Sequence, residues 1–475
     1  MVTRALTQPA QDYIIESARI FSERLGKPYD KKSYDIKSYI LELSLFEDIE
    51  LPFITGELTA MDDLGSFFEM NPMGTEQIEI VIKGVEEDYE TATLTLVMNM
   101  TSIQKRFKTA DRTEIYVFEL ISPAGFRDEG IKISKSYSGK LDSIAGNILE
   151  NYLGVEISRN YQLNPATQEK VKVIVPYISP LEASVWLLDR ATNTRGVPFY
   201  VWQSIYEQRD VETIRIGSLD RMISGGSVWN ENQPLIYSQA AVSEVALGNS
   251  LDQDLILKEF RINNFQDTVG LMEQGSIGSS FSNLDTYTGQ SYTRHFDVKD
   301  LLKGAGFILM RGLGNLQNVI DEKQTLTYEG QTKKSHEWDH RYFNTLTSYG
   351  TYASVNSYHD DPREMDMMNK MNARAIKNLF QKNTVEIVAN GSLFFKPMTT
   401  GATVGVGAGD MIRINYLRAD TQAEEPQLDE ILSGYYIIHR CRHLFSGTRH
   451  QVSATVSKID KDSPIDPQVE DADMY

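Results

Sequence analysis

The chain has 475 residues, and its 47 Lys and Arg stand against 66 Asp and Glu, a formal charge of -19; the mass is 53.8 kDa and the pI about 4.9. At about 150 residues per domain this is room for about three domains, and the acidic excess argues against a broad phosphate-gripping surface and against docking on anionic membranes. A single cysteine, Cys441, excludes an intrachain disulfide or a thiolate cluster.

No apolar run approaches the roughly 18–20 residues that span a bilayer, so no membrane contact is expected. Residues 1–10 lack a basic start followed by an apolar stretch, which points to a reducing interior or to export by another route than secretion. In chain order, residues 1–33 read as an N-terminal helix and linker: Pro9 suits a first turn, Ile14, Ala18, Phe21 and Leu25 form one stripe, and Gly26 stops it. Residues 34–122 then alternate with period two, as in Ile78, Ile80, Ile82 and Leu94, Leu96, Met98, between glycine punctuation. That pattern predicts an antiparallel barrel or sandwich.

Residues 123–218 predict a small α+β domain. Ser138 reads as the cap of a helix through Ile144, Ile148 and Leu149 that ends at Gly154, and Ser179-Pro180-Leu181-Glu182 reads as a capping box. Residues 219–274 and 361–459 predict a second barrel with its own helix, opened at Asp361-Pro362-Arg363-Glu364 and carrying Met365, Met367, Met368 and Met371 at packing spacing. Between them, residues 275–360 read as a loop-rich insertion of short strands, and residues 460–475 as an acidic, disordered tail.

The two β regions share an order of parts. Gly74 precedes Gln77 to Ile82, then a long strand with Lys105 and Arg106, then Thr113 to Leu120; Gly409 precedes Met411 to Tyr416, then a long strand with Arg440 and Arg442, then His450 to Val456. If this is a repeat, three chains place six barrels in a ring, with pseudo-sixfold symmetry on one face and true threefold symmetry on the other.

Several motifs invite an enzyme reading. His336-Glu337-Trp338-Asp339-His340 satisfies H-E-x-x-H, but zinc chemistry needs both imidazoles on one helical face, and the flanking Gly330 and the Tyr, Thr and Ser that follow predict strand or loop. Glu364 is the available third ligand and sits in a helix cap. His439 and His443 are also four apart, yet in a strand that spacing is roughly 13 Å, too far for one metal. The glycine run at residues 401–409 precedes a strand rather than a helix, so it reads as a flexible hairpin loop and not a phosphate cradle. Cys441 reads as a buried packing residue. No catalytic residue, cofactor or metal is therefore expected, a zinc hydrolase on His336, Glu337 and His340 being the minor alternative.

The segments Gly74-Thr75-Glu76-Gln77-Ile78-Glu79-Ile80, Phe199-Tyr200-Val201-Trp202-Gln203, and the closing strands near Gly409, Gly434 and Gln451 resemble the baseplate hub protein of contractile-tailed bacteriophages. They also resemble the hub portion of the valine-glycine-repeat spike proteins of type VI secretion. The resemblance implies a mainly β fold with α+β parts, holding two tail-tube-like antiparallel β-barrels, a small α+β domain and a loop-rich insertion. It implies a non-enzymatic homotrimer in the virion tail baseplate, assembled in the host cytoplasm. Its implied partners are the trimeric spike or tail lysozyme protein, the hexameric tail tube protein and baseplate wedge components, with DNA passing through the channel without specific binding. An acidic channel wall would repel DNA phosphates and let them slide. A tube-like or adaptor component of another contractile injection machine is the alternative within the same plan.

Overall fold

Period-two patterning governs most of this chain, and among the described residues the computed structural model gathers it into one 14-stranded sheet and four smaller sheets. The structure describes residues 12–22, 33–84, 93–110, 113–158, 171–193, 196–208, 212–225, 234–238, 255–264, 267–286, 289–304, 325–328, 330–347, 362–391, 394, 405–418, 427–429 and 431–460. The linker at residues 27–32 and the tail at residues 461–475 lie outside these.

The first module comprises β1 (Tyr13–Phe21), β2 (Ser33–Asp35), β3 (Ile40–Asp48), β4 (Thr55–Asp62), β5 (Gln77–Gly84), β6 (Thr93–Ala110) and β7 (Thr113–Ile121). Neighbours follow the order β3-β4-β7-β6-β5-β1-β2, and every pairing is antiparallel. Facing apolar residues close its core: Ile78 opposes Met98, Ile80 opposes Leu96 and Ile82 opposes Leu94, all buried together. Phe67, from the short helix Ser66–Met70, plugs this core against Tyr116 and Phe118.

Strand β1 corrects the sequence reading of an N-terminal helix. A bulge between Ile15 and Ser17 shifts its register against β5, and that shift lets a β-strand present apolar residues at spacings that imitate a helical stripe. Ala18 and Ile20 are fully buried, whereas Ile14, which the helical stripe would bury, is 43% exposed. Tyr13, Ile14, Ile15, Ile20 and Phe21 are good strand formers, and pairing along β5 overrides a weak local preference.

Next come β8 (Ser136–Gly139), β9 (Glu156–Ser158), β10 (Val171–Ile174), β11 (Phe199–Gln208) and β12 (Glu212–Ser218), with helices Pro123–Glu129, Leu141–Leu153, Pro180–Leu188 and Leu219–Gly225. Ser138 lies in β8 rather than capping a helix, and Lys140 holds the cap position. Gly154 ends that helix in the left-handed region at φ 64°, as only glycine does without strain. The Ser179 hydroxyl accepts from the Glu182 amide at 3.4 Å, the cap its sequence predicts.

The second module begins with β13 (Leu235–Ser238) and β14 (Glu259–Asn264). An insertion then carries β15 (Gly278–Asp285), β16 (Ser291–Asp297), β17 (Thr325–Tyr328), β18 (Gln331–Lys334) and β19 (Tyr342–Thr347), and the helix Pro362–Gln381 follows. The module resumes with β20 (Thr384–Asn390), β21 (Met411–Arg418), β22 (Gln427–Leu428), β23 (Gly434–Ser446) and β24 (Arg449–Asp460).

The two modules share a topology. The order β14-β20-β24-β23-β21 repeats β3-β4-β7-β6-β5 strand for strand, and each of these pairings is antiparallel in both. The likeness reaches single residues. Met100 donates its amide to the Glu76 carbonyl at 2.9 Å, and Ile438 donates to that of Asp410 at 3.0 Å. One residue later both long strands bulge, between Met100 and Ser102 and between Ile438 and Arg440. The sixth strand differs: β1 runs antiparallel to β5, whereas β13 runs parallel to β21.

The strand assignment of residues 13–21 makes a discriminating prediction. We expect Ile20→Ala to cost about 2–4 kcal/mol, a cavity in a packed core, and Ile14→Ala to change stability by less than about 0.5 kcal/mol. Denaturant unfolding of both variants checks this; equal losses would restore a helix.

Candidate functional site: the seam between the modules

Strand β23 is longer than its partner β21. Gly434 to Ile437 pair with β21, and the remainder, from Arg440 opposite Asp48 to Ser446 opposite Glu42, pairs with β3 of the first module. This second pairing fuses the modules into a single sheet. On its outer face Arg440 reaches Asp48 at 2.6 Å and Arg442 reaches Glu42 at 3.4 Å. The exposed Arg442–Glu42 pair contributes at most about 1 kcal/mol, and both pairs favour this register.

The inner face holds a closed polar network. Glu47 continues the inward parity of Leu43 and Leu45 and is buried. One carboxylate oxygen accepts the Ile205 amide at 2.7 Å and the Ser204 hydroxyl at 3.4 Å, and the other accepts the Ala408 amide at 2.7 Å. Glu47 thus ties β3 to β11 and to the loop at residues 405–409. The described part of the glycine run is therefore a close-packed loop, not the free hairpin its composition suggests; residues 401–404 lie outside the description. A Cβ on Gly407 would sit 2.3 Å from the carboxylate, so only glycine fits there. Gly409, at φ 88°, passes under the Trp202 indole, whose N–H donates to the Ala408 carbonyl at 2.8 Å.

Across the seam, the Cys441 sulfur lies 3.6 Å from Glu47 and 3.4 Å from His443 Nε2, and His443 Nδ1 lies 3.3 Å from His450 Nε2. Phe445 stacks on His450 with centroids 4.1 Å apart. Beside this network buried Arg215 meets Asp410 at 3.4 Å. Burial pushes the Glu47 carboxyl up to about 7, against the pull of the two amides and Arg215. Burial, then the neighbouring Glu47 charge, drives the Cys441 thiol well up. Burial drives His443 down to about 3, and burial with the nearby His443 takes His450 well below its ordinary value.

Glu47, Cys441 and His443 bring ligand atoms within 4.8 Å of one another, which is close enough to hold a metal. Both carboxylate oxygens already accept short amide bonds, and the Cys441 sulfur lies against one of them, so the three groups are engaged within the chain. The arrangement is a structural clasp.

The other sequence candidates lie elsewhere. His336 and Glu337 form a 3-10 turn, Ser335–Glu337, not an α-helix. Each member of the motif is engaged locally: His336 Nδ1 with Asp297 at 3.0 Å, His340 Nε2 with the Ser335 carbonyl at 2.7 Å, and Glu337 with the Lys334 amide at 2.9 Å. His439 and His443 lie on strand β23; His439 packs on Phe380 at 3.9 Å, and burial, then Arg440, takes it down to about 3. Met368 and Met371 pack in the core under the insertion; Met365, Met367 and Glu364 have no described side chains. Sequence reading missed Glu47, Ser204, Arg215 and Asp410. The available signal was Glu47 itself, a charge on the apolar parity of its strand.

No family model matches the chain, and no curated protein matches it. Among solved structures it is similar to a tail protein from Neisseria meningitidis MC58, at 10% identity and TM-score 0.48, over 95% of this chain and 99% of that one. It is also similar to the 43 kDa tail protein of prophage MuSo2 from Shewanella oneidensis, at 10% identity and TM-score 0.46, over 95% and 100% of the two chains. A third is an E. coli component of the type VI secretion system, at 7% identity and TM-score 0.37, over 90% and 76%. These structural neighbours are two tail proteins and a component of type VI secretion. At such identities and TM-scores, the ground for a functional reading is the twin-module geometry of the chain itself.

The Glu47 clasp predicts a pH signature. Its carboxyl ordinarily titrates near 4.5 and in the folded chain near 7, so the folded state holds the proton more tightly. That contribution is complete below 4.5 and is lost as pH rises through 7, about 3 kcal/mol in all. Subtracting the stability of Glu47→Gln from that of the native chain cancels the opposing limb of the buried histidines. We expect the difference to fall between pH 4.5 and 7 in urea unfolding; a flat difference would place Glu47 in a solvated site.

Proposed function

We propose that this protein is a structural hub of a phage contractile tail, three copies of which form a ring between a hexameric tube and a trimeric spike. The observation that carries this reading is the repeated five-strand module, alike down to its bulge and joined within one chain by strand pairing. A component that must meet sixfold and threefold neighbours needs six similar units with threefold identity, and two units per chain supply that with three chains. The two modules, residues 13–121 and residues 235–264 with 384–460, are the tube-facing units. The α+β domain at residues 123–218 and the insertion at 275–360 are left to meet the spike and baseplate wedge components.

The role in this reading is non-enzymatic, with any cell-wall cleavage belonging to a partner. The formal charge of -19 suits a channel wall past which DNA moves without binding, in a virion tail assembled in the host cytoplasm.

Native mass spectrometry tests the reading. We expect the purified chain to run near three times its 53.8 kDa mass. A stable monomer or an even-numbered oligomer at micromolar concentration would overturn it.

A further inference from the structure

Within the chain, the edge of β23 beyond Ile437 is occupied by β3. The matching edge of β6 begins where β5 ends, after Asn99, and no strand lies along residues 101–110 there among the described residues. The module-two counterpart of β3 is β14, which pairs with β20 alone among the described residues. Each chain therefore presents one half of the seam twice over: a β6 edge lacking its β3-like partner and a β14 strand lacking its β23-like partner.

Both edges carry the marks of covered surface. Ile103 on β6 is 38% exposed, Phe107 on β6 is 48% exposed and Ile262 on β14 is 46% exposed. Bare strand edges bearing apolar side chains invite pairing, and folded proteins normally blunt them. Neither strand contains proline, which would block a ladder.

We infer that β14 of one copy pairs antiparallel with the second half of β6 of the next copy, reproducing between chains the β3–β23 seam found within each. This rests on the ring proposed above and names its contact. The register follows from matching the modules through their common pairs. Leu43, Ser44 and Leu45 oppose Leu58, Glu57 and Gly56, as Phe260, Arg261 and Ile262 oppose Ile387, Glu386 and Val385. On the other strand, His443, Leu444 and Phe445 oppose Val452, Gln451 and His450, as Arg106, Phe107 and Lys108 oppose Tyr116, Ile115 and Glu114.

Within the chain, His443 faces Leu45, Leu444 faces Ser44 and Phe445 faces Leu43. Between chains, Arg106 then faces Ile262, Phe107 faces Arg261 and Lys108 faces Phe260. The Arg442–Glu42 pair of the internal seam has its counterpart in Lys105 and Glu259. The two edges are different surfaces, so the contact is head-to-tail and closes into a ring when the rotation allows.

Oxidative cross-linking of Phe107→Cys combined with Arg261→Cys tests this, since Cys441 is buried and stays silent. We expect disulfide-linked dimers and trimers on a non-reducing gel, with the ladder stopping at three. Absence of cross-links between copies overturns the edge pairing. A ladder that continues past three upholds the pairing and overturns the three-copy ring, so the two readings fail separately.

A second variant guards against misreading. Ile262→Lys sets a cation against Arg106 and should weaken assembly at least tenfold, whereas Ile262→Asp should retain it, with the melting temperature of each chain kept because the site is half-exposed. A trimer unaffected by Ile262→Lys also overturns the inference.

Discussion

The pairing of β3 with β23, made over a buried carboxylate, is the constraint on which the rest of this architecture depends. Strand pairing alone would be free to slip, and a slip of one residue reverses which face each side chain points to. Glu47 prevents that. It stands opposite Cys441 and accepts amides from β11 and from the loop leading into β21, so any displacement along the seam leaves buried N–H groups without an acceptor, each costing about 1–3 kcal/mol. The clasp fixes how the two modules sit relative to each other.

Strand β11 shares that task from the third domain. Phe199 and Val201 belong to the core of the α+β domain, Tyr200 and Trp202 to the core beneath the insertion, and Ile205 and Tyr206 to the core of the first module. One strand of alternating apolar residues thus enters three hydrophobic cores in turn. Modules joined in this way share one continuous sheet and are held by one strand that enters the core of each.

Much of this was legible in the sequence, and the exceptions have physical causes. Alternation at Ile78 to Ile82 and Leu94 to Met98 located β5 and β6 because one face of each is buried and the other is not. The repeat was visible through Gly74 and Gly409, both at positive φ, and through the basic ends of the two long strands. Residues 13–21 misled because a bulge changed the parity within one strand, which no fixed period describes. The loop at residues 405–409 misled because glycine signals either freedom or closeness, and here Glu47 and Trp202 demand closeness. Pairing between β3 and β23 joins positions nearly the whole chain apart, and pattern within short windows carries no trace of it. The H-E-x-x-H string lies in a 3-10 turn, Ser335–Glu337, between two short strands rather than on an α-helix.

A single rule of strand pairing, used once inside the chain and again between chains, is the central claim. Electron cryomicroscopy of the assembled particle, at a resolution that separates strands about 4.8 Å apart, tests it most directly. The account predicts a ring of six similar modules in which an unbroken ladder runs from β3 to β23 and onward from β14 to the neighbouring β6. Modules that meet through side chains alone, or through any other pair of edges, would contradict it.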